Sequence, residues 1–223
     1  TISRTPFEMR YDTVLLDFDG TIADSMPSIL VCIRYAMDTV GIPYTEEQLR
    51  LMVGPPFRVA LREMYGVTDE PTVERMIKLY RTKYENGGWM CDLFPGVEKM
   101  MSDLRAAGVR LAVATSKPLR FTNMIVKGLG IERFFDFVGG AEADGTRDAK
   151  SEVIEYVLGG LGGADRRRTL MVGDRLYDMD GAKLTGLDAC GALWGYGSRE
   201  ELLAHGADML AETPEELTRI VLG

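Results

Sequence analysis

The sequence contains few of the residues on which several common kinds of site depend. It has one histidine and three cysteines in 223 residues, and the cysteines form no CxxC pair. A histidine-centred triad or a histidine zinc site is therefore not expected. An odd number of widely separated cysteines also gives no disulfide framework, which favours a reducing, cytoplasmic location.

Long apolar runs and excess positive charge are also missing. No window reaches the roughly eighteen uninterrupted apolar residues of a membrane span, and residues 1–11 are too polar for a secretory signal or anchor. The formal net charge of -8 and the pI near 4.9 argue against binding a nucleic-acid backbone. An anionic substrate would have to be attracted locally, by a metal ion, a lysine or a helix N-terminus.

Short apolar runs alternate with helical segments along most of the chain. This alternation predicts an α/β fold with a doubly wound parallel sheet. Proline and glycine mark the ends of the intervening helices, as at Pro95 and Gly108. The predicted strands cover residues 14–18, 109–114, 135–139, 169–173 and 189–194.

Residues 22–92 differ from the rest of the chain. They show no convincing strand pattern, and their sequence predicts four consecutive helices. Apolar residues recur at helical spacing in the first helix, and Thr45-x-x-Gln48 is a capping box that opens the second. The third is predicted at 57–65 and the fourth at 71–86. We therefore expect an α/β core made of residues 1–21 and 93–223, with an inserted four-helix cap domain.

Two predicted strands end in pairs of acidic residues. Asp17 and Asp19 follow the first strand, and Asp174 and Asp178 follow the fourth. At the carboxyl ends of parallel strands these side chains face the crevice where doubly wound folds bind ligands. Several carboxylates from separate strand ends suit a hard cation such as Mg²⁺. For the first pair taken alone, an Asp-Gly turn is an equally good explanation.

Two further segments could bind an anion. Thr115 and Ser116 end a third strand just before a helix, where hydroxyls and free backbone N–H groups favour a phosphate. A simple helix cap explains these hydroxyls equally well. Lys150 opens a predicted helix, an unfavourable place for a cation, although most such lysines are solvated.

Taken together, these segments resemble the haloacid dehalogenase superfamily, in particular its phosphoglycolate phosphatase-like branch with a helical cap. The resemblance covers nearly the whole chain. The specific part is the combination of DFDGT at the end of the first strand with GDxxxD about 150 residues later. The matching motifs are Asp17-Phe18-Asp19-Gly20-Thr21, Thr115 with Ser116, Lys150, and Gly173-Asp174-x-x-x-Asp178.

The resemblance implies a Mg²⁺-dependent phosphatase that acts on a small phosphorylated metabolite. Asp17 would be the nucleophile and Asp19 the general acid and base. Thr115, Ser116 and Lys150 would bind the transferring phosphoryl group. The magnesium ligands would be Asp17, the backbone carbonyl of Asp19, and Asp174, with Asp178 acting through hydrogen bonds or a water molecule.

The sequence leaves the substrate and part of the chemistry open. Arg58 follows a rigid Gly-Pro-Pro turn in the cap, where it could contact the substrate away from the transferring phosphate. A surface arginine covering apolar area is an equally good explanation. A phosphomutase or phosphotransferase, and a non-catalytic binding domain on the same fold, are the alternative functions. The sequence does not determine the oligomeric state.

Overall fold

The computed structural model describes residues 9–53, 55, 57–142, 147 and 149–223. The strands are β1 (Thr13–Leu16), β2 (Ala23–Asp24), β3 (Asp92–Leu93), β4 (Arg110–Pro118), β5 (Phe137–Ala141), β6 (Thr169–Gly173), β7 (Asp188–Ala192) and β8 (Met209–Ala211). The helices are α1 (Met26–Val40), α2 (Glu46–Leu51), α3 (Phe57–Tyr65), α4 (Glu70–Lys83), α5 (Val97–Ala106), α6 (Leu119–Gly128), α7 (Lys150–Gly160), α8 (Leu176–Thr185), α9 (Arg199–Ala204) and α10 (Pro214–Leu222). None of the helices in these described ranges is long and apolar enough to cross a membrane.

Six strands form a parallel sheet in the order β5-β4-β1-β6-β7-β8. All four residues of β1 are buried, as are all five of β6, because both strands lie inside the sheet between neighbours. Continuous apolar runs suit this position, since both faces of such a strand are covered. The sheet confirms the predicted α/β class.

The strand predictions differ from the structure mainly at the strand ends. The fourth predicted strand coincides with β6, whereas β4 continues to Pro118, four residues beyond the predicted end. Its pairing with β5 shifts register between Ala114 and Pro118, so the extension is irregular. The prediction also omitted β2, β3 and β8, which have only two or three residues each, too few to show a hydrophobic pattern.

The described chain separates into two compact units, one formed by Thr1–Ala23 with Leu93–Gly223 and the other by Asp24–Asp92. The smaller unit contains α1 to α4, at the places predicted for four helices. Its boundary falls two residues after the predicted limit at residue 22. β2 and β3, where the chain passes between the units, pair as a separate two-stranded sheet.

Local signals explain the helices of the smaller unit. Apolar residues at helical spacing face its interior in α1, where Ile29, Ile33 and Met37 are buried. The predicted capping box is present: the Thr45 hydroxyl accepts from the Gln48 N–H at 3.2 Å, and the Thr45 N–H donates to Gln48 Oε1 at 2.8 Å. The last helix ends earlier than predicted, at Lys83, and a wider turn follows.

Candidate active site

The end of β1 places Asp17 level with the end of β6 and with the end of the regular part of β4. Leu16 pairs with Val113 of β4 and with Val172 of β6. The Asp17 N–H donates to the Val172 carbonyl at 2.9 Å, which continues this register by one residue. The ends of β1 and β6 and the end of the regular part of β4 therefore lie beside Asp17.

Asp174 and Asp178 reach the same place from the end of β6 and the first turn of α8. The Arg175 N–H donates to Asp178 Oδ2 at 3.1 Å, which turns this carboxylate back toward the strand end. Asp17, Asp174 and Asp178 each place an oxygen within 4.8 Å of the others. The structure thus brings together three of the four acids that the sequence analysis selected.

Lys150 supplies the positive charge beside this cluster. As the first residue of α7, it is 7% exposed, and its Nζ donates to the Ala114 carbonyl at 3.0 Å. The same Nζ lies 2.9 Å from Asp17 Oδ1 and 2.7 Å from Asp178 Oδ1. These ion pairs offset the unfavourable position of a cation at a helix N-terminus. The general expectation that such a lysine is solvated does not hold here.

Burial and mutual repulsion shift the pKa values of these groups. Burial raises the pKa of Asp174 well above its usual range, and the charges of Asp178 and Asp17 raise it further. Burial also raises the pKa of Asp178, to about 6, although Lys150 works against this shift. For Lys150, burial lowers the pKa, but attraction to Asp17 and Asp178 outweighs it and raises the pKa overall. One ammonium group does not offset three buried carboxylates.

The donor set fits a small divalent cation. Asp17 Oδ1 and Asp178 Oδ1 are buried, and among the described residues both rely on the single Lys150 ammonium group, without a hydrogen bond of good geometry. Buried carboxylate oxygens are normally hydrogen-bonded, paired or bound to a metal ion. Oxygen donors from two or three carboxylates are the ligands that Mg²⁺ prefers. Asp17, Asp174 and Asp178 are therefore suited to hold such an ion.

Asp174 is fixed by contacts from two loops. Thr21 Oγ1 donates to Asp174 Oδ1 at 3.3 Å, and the Tyr196 N–H donates to Asp174 Oδ2 at 2.8 Å. The Trp194 indole N–H donates to the Thr21 carbonyl at 2.9 Å, which ties the second loop to the first. The Asp174 carboxylate is therefore oriented before any ligand binds.

Three glycines allow these loops to approach Asp174. A Cβ atom added at Gly20, Gly195 or Gly197 would clash with Asp174. Gly20 also has a φ of 84°, in the left-handed region that residues with a Cβ rarely adopt. Close packing around Asp174 thus depends on the absence of three side chains.

Asp19 binds a different lysine. Its Oδ1 and Oδ2 lie 3.0 and 2.8 Å from Lys117 Nζ. β1 ends at Leu16, so both acids lie beyond the regular strand, and their carboxylates pair with different lysines. The Asp19 carboxylate is not part of the three-acid cluster, and its predicted contribution to the metal site was through the backbone carbonyl.

Comparison with known proteins agrees with this arrangement. Residues 14–192 match the family of haloacid dehalogenase-like hydrolases. The chain belongs to this family. The matched region includes Asp17, Asp19, Lys150, Asp174 and Asp178, and the resemblance inferred from the sequence is confirmed.

Relatives of this haloacid dehalogenase-like hydrolase carry different names. Tyrosine-protein kinase PtkA of Mycobacterium tuberculosis is 41% identical over 82% of the chain, and the chain spans only 62% of its length. A phosphoglycolate phosphatase of Xanthomonas campestris is 32% identical over 92% of the chain and 93% of its own length. A crystal structure described as a predicted phosphatase from Clostridium acetobutylicum is 33% identical, with a TM-score of 0.88 over 95% of this chain and 98% of that one.

Thr115 and Ser116 lie in the irregular part of β4 of this hydrolase. Thr115 is buried, and its Oγ1 accepts a hydrogen bond from the Lys117 N–H at 3.2 Å. The helix-cap alternative is wrong for both residues, because α6 starts at Leu119 with Pro118 as its N-cap. Their predicted role in phosphate binding stays a prediction.

Arg58 lies on α3 in the smaller unit, and the structure gives its guanidinium group acidic partners there. Arg58 Nη1 donates to Glu70 at 2.7 Å, and Nη2 forms a second ion pair with Glu74. Gly54 and Pro56 of the preceding turn lie outside the described residues. The contacts tie α3 to α4, and a role in substrate selection stays a prediction.

Sequence reasoning missed two contributors to the site. Lys117 follows directly after Thr115 and Ser116, so a basic residue next to a predicted anion site was an available signal. The Gly-Tyr-Gly segment at 195–197, just after a strand, was a second signal, because glycines at a strand end allow close backbone approach. Only the structure shows that Lys117 pairs with Asp19 and that the segment 195–197 contacts Asp174.

Proposed function

We propose that this protein is a Mg²⁺-dependent phosphatase that hydrolyses a small phosphomonoester through an aspartyl-phosphate on Asp17. The observation that carries this proposal is the group of three buried carboxylates around Lys150 at the ends of parallel strands. The expected substrate is a small phosphorylated metabolite, and the expected location is the cytoplasm.

In the first step, an Asp17 oxygen attacks phosphorus, and the bond between phosphorus and the ester oxygen breaks. Asp19 gives its proton to the departing oxygen, so the alcohol leaves uncharged. In the second step, Asp19 takes a proton from a water molecule whose oxygen attacks phosphorus. The bond between phosphorus and the Asp17 oxygen then breaks, which releases inorganic phosphate and regenerates the Asp17 carboxylate. Covalent catalysis of this kind divides one difficult hydrolysis into two easier displacements.

The remaining residues position the phosphoryl group and neutralise its charge. Lys150 has its ammonium group fixed by the Ala114 carbonyl beside Asp17, where it can bind a phosphoryl oxygen. Thr115 and Ser116 offer hydroxyl groups from the end of β4. A Mg²⁺ ion held by Asp17, Asp174 and the Asp19 carbonyl, with Asp178 in support, would neutralise the phosphoryl oxygens. Positioning and charge neutralisation supply most of the catalysis of phosphoryl transfer.

The relatives support two candidate reactions. The Xanthomonas relative named phosphoglycolate phosphatase matches almost end to end, which favours hydrolysis of a small phosphate ester. The Mycobacterium relative named as a tyrosine kinase favours phosphotransfer as the second candidate. A non-catalytic binding domain is disfavoured, because it would have no use for so costly a set of buried charges.

A single pair of assays separates these reactions. Release of inorganic phosphate is measured over a panel of small phosphate esters ranked by kcat/KM, with and without Mg²⁺. Transfer of radiolabelled phosphate from ATP to a tyrosine peptide and to small alcohols is measured with the same preparation. We expect Mg²⁺-dependent release without transfer. Phosphate transfer that exceeds phosphate release would favour the phosphotransferase. The absence of both reactions would favour a non-catalytic binding domain.

Removal of divalent cations should abolish turnover. Treatment with a chelator is expected to reduce phosphate release to background, because Lys150 alone cannot neutralise both Asp17 and the incoming phosphoryl group. Added Mg²⁺ should restore the activity, and Ca²⁺, which takes more ligands at longer distances, should inhibit. Circular dichroism checks that the chelated protein is folded. Full activity in the chelator would refute the dependence on a metal ion.

We further propose that Arg58 selects the substrate by binding a carboxylate or second phosphate. Arg58→Ala should lower kcat/KM for the best substrate about tenfold or more, the loss expected of one charge-assisted contact. Hydrolysis of a simple aryl phosphate should change little. Arg62→Ala is a matched control, because Arg62 also lies on α3 and also pairs with Glu70. If kcat/KM falls equally in both variants, or equally with both substrates, Arg58 acts only through its ion pairs with Glu70 and Glu74 and does not select the substrate.

A further inference from the structure

Two lysines pair with three of the four acidic groups of the site. Lys150 pairs with Asp17 and Asp178 in the three-acid cluster, whereas Lys117 takes both carboxylate oxygens of Asp19. The Lys117 side chain is only 6% exposed, and that of Asp19 is 24% exposed. Their contact is therefore largely shielded from water, where an ion pair constrains geometry more strongly than at the surface.

The irregular end of β4 puts Lys117 in this position. Regular pairing with β5 is interrupted between Ala114 and Pro118, and the Lys117 N–H turns back onto Thr115 Oγ1. Irregularities of this kind redirect side chains near active sites. A buried lysine directed at one carboxylate, beside a cluster that already has its own lysine, requires an explanation of its own.

Asp19 is a candidate for a fourth carboxylate ligand. It lies two residues after Asp17, on the same loop at the end of β1. A cation bound by Asp17, Asp174 and Asp178 would attract this carboxylate as well. A fourth carboxylate would favour Ca²⁺, which accepts six to eight oxygens, over Mg²⁺, which keeps several waters in a strict octahedron. It would also remove Asp19 from proton transfer.

We propose that Lys117 is a positioning residue that keeps the Asp19 carboxylate out of the ligand shell of a cation held by Asp17, Asp174 and Asp178. In this role Lys117 preserves the preference for Mg²⁺ and leaves Asp19 available to the substrate. The proposal rests on the proposed function only for the role of Asp19 in proton transfer. Its claim about cation binding is independent of turnover.

A double-mutant cycle tests the proposal by calorimetric titration with Mg²⁺ and Ca²⁺, without substrate. Lys117→Met is made in the wild-type protein and in Asp19→Asn. Loss of a positive charge alone should strengthen cation binding by similar factors in both backgrounds. A newly recruited Asp19 carboxylate adds a gain in the wild-type background only. We expect this extra gain to be about tenfold for Ca²⁺ and smaller for Mg²⁺.

Controls make the cycle decisive. Lys99→Met removes an exposed lysine that pairs with Asp103, and it should leave both affinities unchanged. Lys117→Gln carries the same expectation as Lys117→Met if the latter does not fold. Equal gains in the two backgrounds, or no cation binding in any variant, would overturn the proposal. Phosphate release by the wild-type protein can succeed in either case, so the proposed function is judged separately.

Discussion

Asp17→Asn is expected to fold and to release no phosphate above background. The amide has the size of the carboxylate but is not a nucleophile, so the phosphoenzyme cannot form. Folding should be retained, because the change removes one of two carboxylates that share Lys150, and Asp178 remains as the partner of that lysine. Mg²⁺ should bind more weakly, since one of its expected ligands has lost its charge.

The phosphoenzyme itself gives the clearest measurement for Asp17. Wild-type protein mixed with a radiolabelled substrate and quenched in acid should retain label on the peptide that contains Asp17, and Asp17→Asn should retain none. Asp180→Asn is a suitable control, because Asp180 is a partly exposed acid on α8 that pairs with His205. Asp17→Asn activity above about 1% of wild type would contradict the assignment of the nucleophile.

Asp19→Asn is expected to lower kcat by about a hundredfold to ten-thousandfold, the usual contribution of a general acid or base. KM should change little if Asp19 acts mainly in the transition state. The loss should be smaller for phosphoenzyme formation from 4-nitrophenyl phosphate than from an alkyl phosphate. A nitrophenolate departs without protonation, whereas an alkoxide does not.

Asparagine is the better substitution at position 19 because of Lys117. Both substitutions remove the charge that pairs with the buried ammonium group, but alanine also removes the oxygen acceptor, and this further cost in stability would obscure the kinetic effect. Asparagine keeps an oxygen that can accept from Lys117 Nζ. Thermal unfolding of Asp19→Asn should therefore remain closer to that of wild type than thermal unfolding of Asp19→Ala. An effect confined to KM would make Asp19 a substrate-binding residue and would remove it from proton transfer.

Most of the site could be predicted because it depends on topology. Parallel strands that end at one edge of a sheet bring their following residues together, so Asp17, Asp174 and Asp178 were expected to meet. The place of Lys150 followed only from family resemblance. Local physics argued against it, since a lysine at a helix start is normally solvated and here is buried by ion pairs from distant strands.

The rest depended on features that leave no local pattern in the sequence. The irregularity in β4 that directs Lys117 toward Asp19 arises from pairing with β5, and a single strand cannot reveal it. β1 likewise ends at Leu16, before Asp17 and Asp19, which pair with different lysines.

The glycines packed around Asp174 also make this part of the site sensitive to missense mutations. Every missense change that a single base can make in a glycine codon produces a residue with a Cβ atom. At Gly20, Gly195 and Gly197 that atom would clash with Asp174. Three separate codons thus protect the position of Asp174, and nearly any point mutation in their first two bases would disturb this residue without altering an acidic residue. Purifying selection at this site should therefore act as strongly on residues that have no side chain as on the charged residues beside them.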